Sequence, residues 1–327
     1  LWPKSPNRVE KEGGLWYGEL YGNWPPRWGD NTMMKVAVTG ATGFLGKQLV
    51  RRLAAEHYDV RALVYEKGSS LGEETLGLEV VRGDLLKKET LNAFLKDVDL
   101  VVHLAGVFYP PLEDLMKYNV MTTANLLEAC ARHKIRKVIF ASSAEVYGKS
   151  SEKRPSKETD ELHPASLYSL TKKISEDLFT YYDDNFGIKY VILRFSTMYG
   201  PENNKGAVSA FLDSIGRKNE LTIYGDGTQA RDFLFVSDAV CGILQAMRKH
   251  GFKKSAIFNI GNGELTTIEQ LARTIEKLLG RKIQVIYKPE HNDFTQTIFG
   301  DTKKAKEKLG WKPKISLEDG IKITMKS

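Results

Sequence analysis

Residues 35–46 read KVAVTGATGFLG, and this stretch decides the fold. KVAVT (35–39) has the short, apolar, β-branched character of a buried strand. Gly40, Gly43 and Gly46 follow it directly and open a helical pattern over 46–55. In such a turn the first glycine permits a sharp reversal and the second lets a pyrophosphate approach the backbone. The third lets the helix pack closely on the strand. The helix start then offers free N–H groups and a positive dipole end to phosphates. The turn therefore predicts a dinucleotide site.

Outward from it, apolar strand patterns at 60–64, 79–82, 99–104, 137–141 and 190–195 alternate with amphipathic helical stretches. Apolar strands alternating with helices imply a parallel sheet covered on both faces, the doubly wound α/β arrangement. After about Pro201 the alternation weakens, which predicts a smaller C-terminal substrate-binding domain. The expected division is a dinucleotide-binding domain over 33–195, with 231–262 returning to it, and a mainly substrate-binding domain over 196–327. Residues 1–32 stand apart as an N-terminal extension of unread role. They carry Trp2, Trp16, Trp24 and Trp28 with no strand or helix period. A cloning remnant, an unusual start upstream of Met33-Met34 and an arm packed on a neighbour all fit.

Composition narrows the function classes. A hydrophobic fraction of 42% and a charged fraction of 27% over 327 residues are those of a soluble globular protein. No apolar run is long enough for a bilayer, and the first residues lack a signal-peptide pattern, so no membrane partner is expected. The charge of +7 is spread over scattered lysines, which argues against nucleic acid and suits an anionic phosphate substrate. Cys130 and Cys241, the only two cysteines, sit in apolar helical stretches and read as buried thiols in a reducing cytoplasm. No metal-ligand spacing appears.

The second strand ends LVYEK (63–67), with Val64 where an acid would bond the ribose of NAD. Glu66 comes two residues late and Lys67 stands beside it, which leaves NAD versus NADP open at this position; NAD is the expected cofactor, with NADP not excluded. Asp84, in RGDL (82–85), suits an adenine amino group and a plain turn equally. Tyr168 and Lys172 are four apart and share a helix face. A free phenol has a pKa of about 10. A neighbouring ammonium lowers it, so the tyrosine can exchange a proton with a substrate hydroxyl while hydride moves to or from a nicotinamide. Ser142 and Ser143 fall at the end of the fifth strand, where open α/β sheets collect ligands. Ser143 reads as a hydrogen-bond partner of the substrate oxygen or as a turn cap.

These residues resemble the extended short-chain dehydrogenase/reductase family, specifically its nucleotide-sugar epimerases and dehydratases. The likeness is carried by TGATGFLG (39–46), RGDL (82–85), DLVVHLAG (99–106) and SSAEVYG (142–148). YSLTK (168–172), LRFSTMYGP (193–201), YGDGTQARDFLFVSD (224–238) and GDTKKAKEKLGWKP (300–313) complete it. The resemblance implies a Rossmann domain, a small lobe for a nucleotide-diphosphate sugar, tightly held NAD(P), and a homodimer through a four-helix bundle. It implies a cofactor set of Gly40, Thr42, Gly43, Phe44, Leu45, Gly46, Asp84, Leu85, Leu104, Ala105, Gly106, Tyr168 and Lys172. Ser143, Tyr168 and Lys172 match the catalytic triad, while Asn119, Ser143, Thr197 and Arg231 would meet the substrate, Arg231 gripping the diphosphate and Asn119 matching equally a structural asparagine or a helix cap.

Two departures stand out. Thr197 replaces an asparagine frequent in relatives, and KPEHND (288–293) replaces an Arg-Pro-x-Asp contact, so any equivalence of Lys288 or Asp293 stays open. Glu145 matches the glutamate base of dehydratases and decarboxylases, but Ala144 replaces the aspartate acid of one dehydratase type. The expectation is therefore a UDP-glucose 4-epimerase-like enzyme working through a transient 4-keto sugar. A 4,6-dehydratase or decarboxylase using Glu145, an NADPH-dependent carbonyl reductase and a non-catalytic redox sensor are the alternatives. The Tyr/Lys pair counts against the sensor, and Arg231 against the reductase.

Overall fold

The computed structural model describes residues 34–65, 71, 78–108, 111–148, 154–289 and 298–326. The extension over 1–32, together with Glu66, Lys67 and Asp293, lies outside the described residues. The first half runs β1 (Lys35–Thr39), α1 (Phe44–Ala55), β2 (Asp59–Val64), β3 (Leu78–Arg82), α2 (Lys88–Phe94) and β4 (Leu100–His103). A helix then passes from α3 (Leu112–Leu115) through a π-helical turn, Met116–Met121, into α4 (Thr122–Arg132). Next come β5 (Lys137–Ser143), α5 (Leu167–Phe186) and β6 (Lys189–Phe195). The remainder is β7 (Thr197–Tyr199), α6 (Gly206–Lys218), β8 (Glu220–Tyr224), β9 (Ala230–Arg231), β10 (Phe233–Phe235) and α7 (Val236–Lys249). It closes with β11 (Ala256–Ile260), β12 (Thr266–Thr267), α8 (Ile268–Leu279), β13 (Gln284–Lys288), α9 (Lys303–Leu309) and α10 (Leu317–Lys326).

Seven strands form one sheet in the order β11-β6-β5-β4-β1-β2-β3. Every pairing in it is parallel. Alternating residues feed opposite cores, as a two-residue period requires. Val36 and Val38 join Leu49 and Leu53 of α1 and Val240 and Ile243 of α7 on one face. Ala37, Val101, Phe140 and Ile192 join Leu126 of α4 and Phe179 of α5 on the other. A third core, with Phe211, Leu221, Leu271 and Ile321, gathers the helices and short strands that follow β6. The doubly wound parallel sheet and the smaller C-terminal unit are therefore present.

Two differences from the sequence expectation shape the site. β5 runs two residues beyond 137–141, so Ser142 and Ser143 still sit on the strand. The seventh strand, β11, was not distinguished in the sequence; it pairs with β6 at the sheet edge. The direction of strand order reverses between β1 and β4. A crevice at such a reversal, at the carboxyl ends of the strands, is where ligands bind in open α/β sheets.

Candidate active site

The glycine turn occupies that crevice. Gly40 has a φ of +66°, and a Cβ there would lie 2.6 Å from the Ala105 nitrogen and 2.7 Å from the Leu104 carbonyl carbon. Only glycine fits a backbone bent this way against the end of β4. A Cβ on Gly46 would lie 2.0 Å from the Gly40 oxygen, so α1 starts directly on the turn. Gly43 caps α1 without a side chain and donates its N–H to the Gly40 oxygen at 3.0 Å. The amides of the first helical turn have no intrahelical acceptor and can cradle a phosphate, with Thr42 half-buried and Leu45 buried beside them. These residues fit a dinucleotide.

Beneath the turn, the Thr39 hydroxyl lies 2.7 Å from His103 Nδ1, and His103 Nε2 lies 3.0 Å from the Thr123 hydroxyl. Burial, helped by the charge of Lys172, pushes His103 down to about 3, so the ring is neutral and serves as a bridge. Val64 is buried at the end of β2. Asp84 Oδ1 accepts the Leu86 amide at 2.9 Å and its carbonyl accepts the Lys87 amide, the turn role rather than a shown adenine contact. Leu85 is buried and its carbonyl accepts from Asn125.

The helix α5 carries the proposed proton chemistry. Ser166 and Ser169 form a reciprocal capping box, each amide donating to the other hydroxyl at 3.0 Å. This fixes the first turns, and so fixes Tyr168 and Lys172. Lys172 is 5% exposed and donates to the Ala141 carbonyl at 2.8 Å. Its Nζ stands 5.8 Å from the Tyr168 ring centre and 4.7 Å from that of Phe140. Burial pushes it down to about 8, with the Glu176 carboxylate opposing. Gly106 passes so close that a Cβ there would lie 3.4 Å from Lys172 Nζ.

Behind Lys172 stands a buried charge network that the sequence reading did not single out. Arg194 forks onto Glu176 with bonds of 3.1 and 2.6 Å. Ser142 donates to Glu176 at 2.5 Å, and Arg194 donates to the Tyr147 oxygen at 2.9 Å. Tyr147 in turn donates to Asn259 at 2.7 Å, and burial pushes its phenol up to about 12. The network ties α5 to β5, β6 and β11. Two signals pointed to it: an arginine inside the apolar strand YVILRF, and Glu176 one helical turn beyond Lys172.

Ser143 accepts the Glu145 amide at 3.1 Å, capping the short helical turn Ala144–Tyr147. Accepting there leaves its proton free to point at a substrate oxygen. The Glu145 side chain is open to solvent on one side and crowded by protein on the others. That crowding raises its pKa above the ordinary carboxylate value, while the charge of Arg231 and a 3.5 Å bond from Ser166 oppose the rise. Arg231, half-buried on β9, is therefore near enough to act on Glu145. The chain next to Arg231 is pinned by Asp232, fully buried, which accepts from Ser196 (2.9 Å), Asn262 N (2.7 Å) and Gly263 N (3.0 Å). Burial pushes Asp232 up to about 6, against those bonds. The Asp232 carbonyl accepts the Thr197 amide at 3.0 Å, so Thr197 and Arg231 are held on adjoining segments.

Asn119 has a structural role in this fold. It is 2% exposed, and its carboxamide is spent on both backbone groups of Val107 (2.8 and 3.0 Å) and on the Thr171 hydroxyl (3.0 Å). It clamps the Val107 segment to α5, in keeping with the structural role that its match also allows. A π-helical turn carries it, a distortion common at functional sites. Among the described residues, no group of His, Cys, Asp and Glu is arranged to hold a metal ion. No described helix is long and apolar enough to cross a membrane.

A sequence profile of the NAD dependent epimerase/dehydratase family matches residues 36–261. The chain belongs to that family. A putative UDP-glucose 4-epimerase of Methanocaldococcus jannaschii is 35% identical over 301 residues, spanning 88% of this chain and 96% of the relative. UDP-glucuronic acid decarboxylase 1 of Arabidopsis thaliana is 32% identical over 305 residues, spanning 88% of this chain and 68% of the relative. The crystal structure of UDP-glucuronic acid 4-epimerase from Bacillus cereus, in complex with UDP-glucuronic acid and NAD, superposes with a TM-score of 0.83. It is 30% identical, over 90% of this chain and 98% of that one. In this member of the NAD-dependent epimerase/dehydratase family, the glycine turn abuts Ala105, Gly106 comes against Lys172, and Arg231 lies near enough to act on Glu145.

Proposed function

We propose that the chain is an NAD-dependent UDP-sugar 4-epimerase. The observation that carries this is Lys172: a buried cation fixed to the Ala141 carbonyl, beside the Tyr168 ring, at the crevice the glycine turn opens. NAD, when bound, supplies the acceptor for hydride from the sugar C4 and returns it afterwards. Tyr168 takes the proton of the 4-hydroxyl, and the Lys172 charge favours that transfer. Ser143 donates to the same oxygen and holds it while it is a ketone. Arg231 grips the diphosphate, which leaves the sugar free to turn and present its other face. Tyr168 then gives the proton back to O4, now on the opposite side.

We further propose that 33–195 with 231–262 hold the dinucleotide and that 196–327 mainly hold the substrate. Tyr181 and Phe186 on α5, with Met121 in the adjoining π-helical turn, leave apolar surface exposed, which suits a homodimer across these helices. The free thiols Cys130 and Cys241, both pushed up to about 12 by burial, suit a reducing cytoplasm.

One observation favours a second reading. Glu145 stands in the cleft with a raised pKa, as a base or acid for decarboxylation or dehydration would. Incubation with UDP-glucose and UDP-glucuronate, followed by NMR, separates the two. Interconversion of 4-epimers is expected. A UDP-pentose with release of carbon dioxide, or a stable 4-keto-6-deoxy sugar, overturns the epimerase reading.

A further inference from the structure

The rings of Phe108 and Tyr168 stack, their centres 4.3 Å apart and their planes inclined by 26°. Phe108 is 42% exposed and stands outside the three described cores, so burial in a core does not explain its place. Its backbone is nonetheless fixed. The preceding residue, Val107, exchanges two hydrogen bonds with the Asn119 carboxamide, which also donates to Thr171. Thr171 neighbours Lys172 on the helix that carries Tyr168. The Asn119 backbone carbonyl accepts from Thr123 at 2.6 Å, which anchors the clamp itself. A buried amide therefore locks the segment bearing Phe108 to the helix bearing Tyr168, and a large, partly exposed apolar ring is set against that phenol.

We propose that Phe108 is a positioning residue. Its ring holds the Tyr168 phenol in one orientation and forms the apolar wall that keeps the keto sugar beside it until reduction. This rests on the proposed reaction, although the stack itself can be tested without substrate. An aromatic pair of this geometry orients its partner strongly enough that its loss should lower kcat about tenfold.

The experiment compares the parent protein with Phe108→Ala and Phe108→Tyr. Nitration by tetranitromethane, resolved by peptide mass spectrometry, reads cover of the Tyr168 ring. In Phe108→Ala, Tyr168 should be nitrated about threefold faster or more, with Phe108→Tyr near the parent rate. With UDP-sugar, Phe108→Ala should lose about tenfold in kcat with KM changed less, and reduced nicotinamide should accumulate on the enzyme as ketose escapes. Phe108→Tyr should restore both. Unchanged nitration of Tyr168 in Phe108→Ala overturns the proposal. So does faster nitration with kcat and nicotinamide state unaltered. A parent protein inert toward every UDP-sugar instead refutes the proposed reaction, and nitration still decides on Phe108.

Discussion

Lys172→Met should abolish turnover and remove a rise in stability with pH that the parent protein shows above about pH 8. The lysine is 5% exposed, and burial pushes it from 10.5 down to about 8. Between those values the unfolded chain binds the proton and the folded one has released it, so stability rises with pH across this window. Below about pH 8 both states are protonated, and the folded state bears the full cost of a buried ammonium, about 3 kcal/mol from the shift. Methionine removes that cost and keeps the volume, but leaves the Ala141 carbonyl without its donor, a loss of about 1–3 kcal/mol. The net change at neutral pH is therefore small and ambiguous, and the pH dependence is the sharper readout. Urea unfolding of the cofactor-free protein at about pH 7 and about pH 9.5 should show the parent gaining about 2 kcal/mol on Lys172→Met as pH rises. A stability difference that is flat, or that moves the other way, refutes the assignment of Lys172 as a desolvated cation.

Three other substitutions probe the turn, the buried ion pair and Glu145 separately. Gly46→Ala places a Cβ 2.0 Å from the Gly40 oxygen, so α1 must shift off the turn. It should cost about 1–3 kcal/mol in urea unfolding and weaken NAD in calorimetric titration; undiminished affinity would count against the cradle. Glu176→Gln leaves the Arg194 guanidinium buried without its counter-charge and should cost about 3–5 kcal/mol, whereas a loss under about 1 kcal/mol would show the pair to be dispensable. Glu145→Gln should leave epimerase turnover within about threefold of the parent, while a fall of about a hundredfold would make Glu145 an acid or base of the main reaction.

What the sequence made legible was local. The glycine turn, six of the seven sheet strands and the Tyr168–Lys172 face each rest on residues within a few positions of one another. The seventh strand, AIFNI at Ala256–Ile260, is short, and its partner β6 lies over sixty residues back, so no local period marks its place in the sheet. Asn119 carried the right chemistry to meet a substrate, yet its partners Val107 and Thr171 are brought to it by the fold. Glu176 reads by itself as a solvated helix charge, and only the approach of β6 shows that it holds Arg194 inside. Asp232, beside Arg231, is charged and fully buried for the same reason: the loop at Asn262–Gly263 returns to cap it. Asp84 stayed open between two roles because a turn and an adenine contact ask for the same side chain.

The central claim is that one cleft removes hydride from the sugar C4 and gives it back to the same carbon while Tyr168 shuttles the proton. The most direct measurement uses UDP-glucose deuterated at C4, with the product mixture read by NMR. Two UDP-hexoses differing in configuration at C4 are expected, both with deuterium retained there. Deuterium found at another carbon or lost to solvent, or a single unepimerised sugar after prolonged incubation, would contradict it.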